Sequence, residues 1–377
     1  MLPAYVVCSP SLNSLCQNLI SAEIYGSFFA LMAMGLTLTY MTTKVPNFAY
    51  GSFVTIGLYT AFQLSSLNSW TPYQASVVAF LVTGAASVLM YVGILRPLAN
   101  RGTPLVAIMI ATFGIDIGFI GVFGIYTDYL QKVYHLFLAK QFFALPGDFS
   151  VLGVDGVAVV APIVLAIITL GIFLLFTKTK FGIAMRASVE NPSLAKVLGI
   201  NTERVYIVSW FLAGGFAGLS GALYTLKFPG GTATGSDLIV EIFASSVLGG
   251  LTSIFGAVAG GLAIGGSEDM VTYGLSQGFG FVGVTIVALL TIAIGTFLVR
   301  KRTRGRRIGG IIFLALGVYL LIEMATGFTT DLFVAGLVNG YPDITPLQKG
   351  IPLIIMVIAL LVLPRGLVSL KLRRPKK

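Results

Sequence analysis

The chain is dominated by repeated apolar runs, most of them close to the length that a helix needs to cross a bilayer, about 20 residues. Hydrophobic residues make up 56% of the sequence and charged residues only 10%, and a soluble chain could not bury that much apolar surface. The runs occupy residues 24–41, 46–64, 73–95, 104–126, 157–176, 206–226, 279–299, 308–326 and 351–363. We therefore predict an all-α integral membrane protein, one polytopic helical bundle over residues 1–377 with about nine full spans.

The positive charges predict how this bundle is oriented. The formal net charge is +10, and the 24 Lys and Arg residues cluster in short loops between the apolar runs. Cytoplasmic loops of membrane proteins are enriched in these residues. With the N-terminus outside, all of them can be cytoplasmic except Lys132, Lys140, Lys227 and Lys349. We therefore predict a multi-pass protein of the cell membrane with a cytoplasmic C-terminus, and no role for the charge in binding nucleic acid.

Residues 237–273 break the pattern of simple crossings. A full crossing there would place the basic cluster 300–307 outside, against the orientation rule. We therefore predict a broken-helix or re-entrant hairpin that enters and leaves on the outer side, with its break near residues 249–253. Irregular backbone at membrane depth is tolerated only inside protein or beside a water-filled path. Gly249, Gly250 and Ser253 are therefore candidates for a translocation path.

The longest polar segment between two apolar runs covers residues 177–205. Its sequence predicts a short helix, because Asn191 can cap it, Pro192 suits its first turn and Gly199 suits its exit. The residues alone leave two interpretations open. The helix can lie among the lipid headgroups, held by its charges, or it can dock a soluble partner that moves the membrane part.

Three polar residues within the apolar runs are further candidates for the path. Asp116 lies near the middle of run 104–126, and an ionisable group at that depth is costly and is a functional candidate by default. The structural alternative is a neutral acid that joins helices, with Thr112 one turn earlier as its partner. Thr39 and Asn47 bring polar groups into apolar surroundings without charge, which suits a path for a small solute.

The sequence offers no catalytic constellation. It has no glycine-rich phosphate loop of the ATPase type, and its single histidine and two cysteines show no metal-binding spacing. We therefore expect a non-enzymatic protein without a cofactor or a metal, whose function is passage or signalling. Cys8 and Cys16 could pair in an oxidising space, but two free thiols are the preferred interpretation.

Three segments carry a resemblance to a known family. They are residues 35–40 (GLTLTY) followed by 47–51 (NFAYG), Arg186-Ala187 followed by 195–201 (AKVLGIN), and 247–261 (VLGGLTSIFGAVAGG). In their order and spacing, from about residue 24 to about residue 269, they resemble the LivH-like permease subunits of branched-chain amino acid ABC importers.

The resemblance implies a type II ABC importer-like permease that translocates branched-chain or related hydrophobic amino acids. It implies two ATPase subunits on the cytoplasmic side, a second, LivM-like permease subunit in the bilayer, and an extracytoplasmic binding protein that delivers the small-molecule substrate. It also places the ATPase-coupling helix in segment 177–205. The residues implied in coupling are Arg186, Ala195, Leu198, Gly199 and Ile200.

The chain also departs from the family pattern. The family usually has His where Tyr50 stands and Pro where Phe255 stands, and residues 279–326 resemble an inserted pair of spans. Two alternative functions are kept. One is an ion-coupled carrier or channel that uses Asp116 and Glu323, since broken helices and intramembrane acids are common in such carriers. The other is an ABC permease for urea or short amides.

Overall fold

A computed structural model describes residues 13–151, 154–276 and 350–362, and these are mostly helical. The helices are α1 Asn13–Thr43, α2 Tyr50–Asn68, α3 Pro72–Met90, α4 Arg96–Asn100, α5 Leu105–Tyr134, α6 Gly156–Lys178, α7 Lys180–Glu190, α8 Pro192–Val197, α9 Thr202–Tyr224, α10 Thr234–Asp237, α11 Ile239–Gly249, α12 Ile254–Ser276 and α13 Ile351–Val362, with a π-helical turn at Tyr91–Leu95. The two-residue strands are β1 Gln141–Phe142, β2 Ser150–Val151, β3 Val154–Asp155 and β4 Gly230–Gly231.

Five helical stretches of the described residues are long and apolar enough to cross a membrane. They are Cys16–Thr43, Pro72–Asn100, Leu105–Tyr134, Gly156–Lys178 and Thr202–Tyr224, and each contains most or all of a predicted span. The predicted run 46–64 instead forms α2, which is largely buried among other helices. The runs 279–299 and 308–326 lie outside the described residues, so the count of nine spans stays a prediction.

The helix α9 lies at the centre of the bundle, against α1, α2 and α3. Its glycines allow this close approach, because a Cβ at Gly214 or Gly218 would collide with α3 and one at Gly221 would collide with the carbonyl oxygen of Val54 on α2. Small residues at such spacing are typical of tightly packed membrane helices. Trp210, fully buried on α9, stacks on Tyr91 with ring centroids 5.2 Å apart.

The helices α11 and α12 form a hairpin that packs on α1. They run antiparallel, because Gly249 lies against Gly256 and Ser245 lies against Gly260. The helix α12 is also antiparallel to α1, since Gly265 lies beside Gly26 while Gly261, one turn earlier on α12, lies beside Ala30. How deep this hairpin reaches into a membrane stays a prediction.

Short strands tie the loops together. β1 pairs antiparallel with β4, and β2 pairs antiparallel with β3, so the loop after α5 is joined to the loop after α9. The prediction of an all-α protein therefore holds for the spans, and the loops add these two small strand pairs.

The structure corrects one expectation about the cysteines. Cys16, near the start of α1, lies in a disulfide bond, so the preference for a free thiol at this position was wrong. Cys8 lies outside the described residues.

Candidate functional site

The segment after α6 folds back on the end of that helix. The Thr179 hydroxyl accepts a hydrogen bond from the Gly182 amide at 3.3 Å and so caps α7. Gly182 packs so closely on Phe176 that a Cβ would collide with its backbone. The Arg186 guanidinium donates to the Phe176 carbonyl at 2.8 Å, where a cation satisfies an orphan acceptor at a helix C-terminus. Arg186 therefore fixes α7 to α6.

The start of α8 is set by local chemistry. The Asn191 side-chain oxygen accepts from the Leu194 amide at 3.0 Å, which satisfies one of the free donors of the first turn. Pro192 occupies the first turn, where its missing N–H costs nothing. The helix therefore begins at the residues that the sequence marked.

The end of α8 is a glycine C-cap. Gly199 has φ +81°, a conformation that glycine adopts without a Cβ penalty. Its amide donates to the Lys196 carbonyl at 3.0 Å, and the Ile200 amide donates to the Ala195 carbonyl at 2.9 Å. This pair of bonds is the Schellman motif, which closes a helix and redirects the chain.

The helix α8 presents an apolar face to its surroundings. Leu194, Val197 and Leu198 are all exposed, Leu198 at 69%, and their spacing puts them on one side of the helix. Ala195 on the other side is only 2% exposed and holds α8 on the bundle. Of the residues implied in coupling, Leu198 is thus free for a partner, whereas Ala195 is not.

Asp116 is buried and bonded to the neighbouring helix. The Ser52 hydroxyl on α2 donates to its carboxyl oxygen Oδ1 at 2.5 Å, and Asp116 is 5% exposed. The expectation of Thr112 as the partner was wrong. Thr112 instead donates to the Met109 carbonyl at 2.7 Å and accepts from the Phe48 amide at 3.2 Å. One face of α5 therefore holds the start of α2 through two polar side chains.

Thr39 and Asn47 are both buried, but they differ in whether all of their side-chain polar atoms are hydrogen-bonded. The Thr39 hydroxyl donates to the Leu36 carbonyl of its own helix at 2.8 Å. The Asn47 side-chain oxygen accepts from the Ala49 amide at 3.1 Å, which shapes the entry to α2. The Asn47 amide nitrogen is buried with no hydrogen-bond partner among the described residues. An unsatisfied donor of this kind is costly, and Asn47 is the stronger candidate of the two for contact with a passing solute.

Gly249 ends α11, and Gly250 and Ser253 lie in the turn between α11 and α12. Gly250 has φ +92°, and a Cβ at Gly249 would collide with the carbonyl oxygen of Gly256. The Ser253 hydroxyl accepts from the Gly256 amide at 3.1 Å and caps α12. These three residues therefore make the hairpin possible, and their local role is to shape backbone.

Sequence reasoning missed two contacts that join distant helices. The Thr37 and Ser246 hydroxyls meet at 2.6 Å and connect α1 to α11. The Tyr50 hydroxyl donates to the Ala213 carbonyl of α9 at 3.1 Å, and its ring tip fills the space left by Gly35. Gly35, Thr37 and Tyr50 lie in the quoted motif, but nothing within the motif reveals the partner helices.

Comparisons with known proteins place the chain in a family. Residues 18–282 match the family described as branched-chain amino acid transport system / permease component. A probable branched-chain amino acid transport permease protein LivH of Methanocaldococcus jannaschii is 42% identical over 74% of this chain and 88% of its own length. The permease protein BraD of Pseudomonas aeruginosa is 25% identical over 71% of this chain and 93% of its own length.

A third relative, the high-affinity branched-chain amino acid transport system permease protein LivH of Escherichia coli K12, is 28% identical over 69% of this chain and 87% of its own length. No solved structure matches the chain. The resemblance inferred from the three motifs is confirmed. The chain belongs to the family of permease components of branched-chain amino acid transport systems.

Proposed function

We propose that this chain is the membrane-spanning subunit of an ATP-driven importer and passes branched-chain or related hydrophobic amino acids that a binding protein delivers outside the cell. The substrate class rests on the names of the relatives. The observation that carries the coupling mechanism is the exposed apolar face of α8. An exposed apolar face on an otherwise polar segment is typical of a protein–protein contact.

The ATPase subunits supply the energy, and α8 transmits it. The face formed by Leu194, Val197 and Leu198 inserts into a cleft on an ATPase subunit. The rigid caps at Asn191 and Gly199 keep α8 in one orientation, so movement of the ATPase is passed to the bundle and not absorbed by the loop. The Arg96–Glu203 ion pair at 2.6 Å links α4 to the start of α9 beside this segment.

The segment with α8 is cytoplasmic in this proposal, and the loops joined by the β strands are outside. A second, related permease subunit completes the path, which runs beside the α11–α12 hairpin and the buried amide of Asn47. Glycines in the hairpin turn let the backbone approach the path closely. The nine spans and the inserted pair 279–326 remain part of the proposal, and the inserted pair lies outside the described residues.

The ion-coupled carrier is the less supported alternative. It requires Asp116 to exchange protons or ions, but Asp116 is held by Ser52 in a contact between helices. Glu323 lies outside the described residues. A permease for urea or short amides has no support in the names of the relatives.

The experiment is a docking assay with Leu198→Ala in the purified importer complex. Burying a leucine side chain stabilises a contact by roughly 1.5–3 kcal/mol, so its loss should weaken ATPase retention about tenfold or more. Stimulation of ATP hydrolysis by the binding protein should fall with it. Leu138→Ala is the matched control, since Leu138 is 58% exposed in the loop after α5, at the other end of the bundle. Full retention and full stimulation with Leu198→Ala would show that α8 is only a headgroup helix.

A further inference from the structure

A groove of about 620 Å³ lies between α1, α6 and α12, away from the coupling segment and from Asp116. It is large enough for a single amino acid. Its walls are mostly apolar, and the apolar lining includes Leu165, Leu170, Phe173, Phe255, Val258 and Leu262.

Two buried hydroxyls in the groove have no partner. Ser27 Oγ and Thr169 Oγ1 are inaccessible to solvent and make no hydrogen bond within the described part of the chain, and both residues line the groove. Ser27 is fully buried. Most hydroxyls in membrane helices bond to a carbonyl of the preceding turn, as Thr112 and Thr127 do here. The two groove hydroxyls therefore have unused hydrogen-bonding capacity at the wall of the groove.

A carboxylate completes the polar set. Glu23 lies one turn before Ser27 on α1 and lines the same groove, because residues four apart share a helix face. Each of the ion pairs found among the described residues involves other acids. Glu23 therefore brings to the groove an acid that makes no ion pair among the described residues, and it shares the groove lining with the two unbonded hydroxyls.

From this set we infer that the groove is a transit site for the substrate of the proposed importer, an α-amino acid with an apolar side chain. The Glu23 carboxylate binds the ammonium group, the Ser27 and Thr169 hydroxyls donate to the carboxylate, and the apolar wall contacts the side chain. The inference rests on the proposed function, since it names where that substrate is held. An α-amino acid is the ligand that satisfies all three polar groups and the apolar wall together.

An aromatic pair forms part of the groove wall. The rings of Phe173 and Phe255 lie edge to face, with centroids 5.9 Å apart, and both residues line the groove. In this inference Phe255 is a specificity-determining residue, because the size of its ring sets the space left for the substrate side chain.

The test uses cysteine protection in the complete importer complex, without the binding protein. Leu170→Cys is the reporter, because Leu170 lines the groove and is 58% exposed. Ile167→Cys is the matched control on the same helix, 64% exposed and not part of the lining. A small neutral methanethiosulfonate labels each variant under non-reducing conditions, which leave the disulfide of Cys16 intact.

Leucine at about ten times its dissociation constant should slow labelling of Leu170→Cys about tenfold and leave Ile167→Cys unchanged. Glu23→Gln in the reporter background should raise the leucine concentration needed for protection about tenfold, since a charge-assisted contact is lost. Glu190→Gln, an exposed acid on α7, should not. Isocaproate, which is leucine without its ammonium group, should protect far less than leucine.

Leucine uptake by the same complexes separates the two proposals. Uptake without protection, or a reporter that the reagent cannot label at all, overturns the transit site and leaves the proposed function standing. Protection without uptake keeps the site and removes the function. Equal protection by leucine and isocaproate, or no effect of Glu23→Gln, shows that the groove does not recognise the ammonium group and overturns the inference.

Discussion

Two turns of this protein depend on glycine for different reasons. Gly199 follows α8 in open space, with no atom within 4 Å of where a Cβ would stand, and only its positive φ requires glycine. Gly249 ends α11 against the backbone of Gly256, where a Cβ does not fit. The first turn is set by local backbone conformation, and the second by the packing of another helix. An open surface and a surface closed by the fold can thus carry the same residue type.

The largest expected effect is that of Gly249→Ala. Its Cβ would meet backbone, which cannot rotate away as a side chain can, and overpacking of this kind should cost about 3 kcal/mol or more. We expect a large drop in the melting temperature and in the yield of monodisperse protein. Gly118→Ala is the control, because no atom lies within 4 Å of its Cβ position. Equal stability of the two variants would contradict the contrast between the turns.

Gly199→Val should leave the fold intact and break coupling. A β-branched residue at positive φ is strained, so the exit turn and the orientation of α8 should change. We expect binding-protein-stimulated ATP hydrolysis to fall about tenfold, as for a lost coupling contact, with little change in melting temperature. Gly199→Asn should retain more stimulation, since asparagine tolerates this conformation better. If Gly199→Val destabilised the bundle as much as Gly249→Ala, the turn after α8 would depend on tertiary packing and not only on its own backbone conformation.

Asn191→Ala, at the start of α8, should weaken coupling less than Gly199→Val does. Loss of the hydrogen bond to the Leu194 amide removes an N-cap worth about 1 kcal/mol. We expect a partial loss of ATPase retention, measured beside Leu198→Ala. Asn201→Ala is a useful comparison, because Asn201 caps α9 by the same bond to the Arg204 amide but presents no apolar face. Equal losses would indicate that helix caps in general, and not the face of α8, govern docking.

Asp116→Asn should have the smallest effect. An asparagine side chain can still accept the bond from the Ser52 hydroxyl, so the contact between α5 and α2 should persist without the carboxylate. We expect transport to be largely kept, measured as uptake into proteoliposomes. Abolished uptake with normal assembly would reopen the ion-coupled alternative.

The sequence by itself determined the features that depend on neighbouring residues. Apolar length predicted five helices that are long and apolar enough to cross a membrane. Asn191, Pro192 and Gly199 marked the ends of α8, because caps are made within one turn. Motif order identified the family, which the comparisons confirmed. None of these inferences required knowledge of which helices touch.

Tertiary structure alone decided the partners. Asp116 bonds to Ser52 and not to the nearby Thr112. The helix α9 packs against α1, α2 and α3, and its glycines allow the close approach to α2 and α3. The groove that joins Glu23 to Thr169 draws on α1, α6 and α12, which are far apart in the chain. Such contacts follow from the packing of whole helices, and a sequence pattern with a period of 3.6 residues states which face is apolar but not which neighbour will cover it.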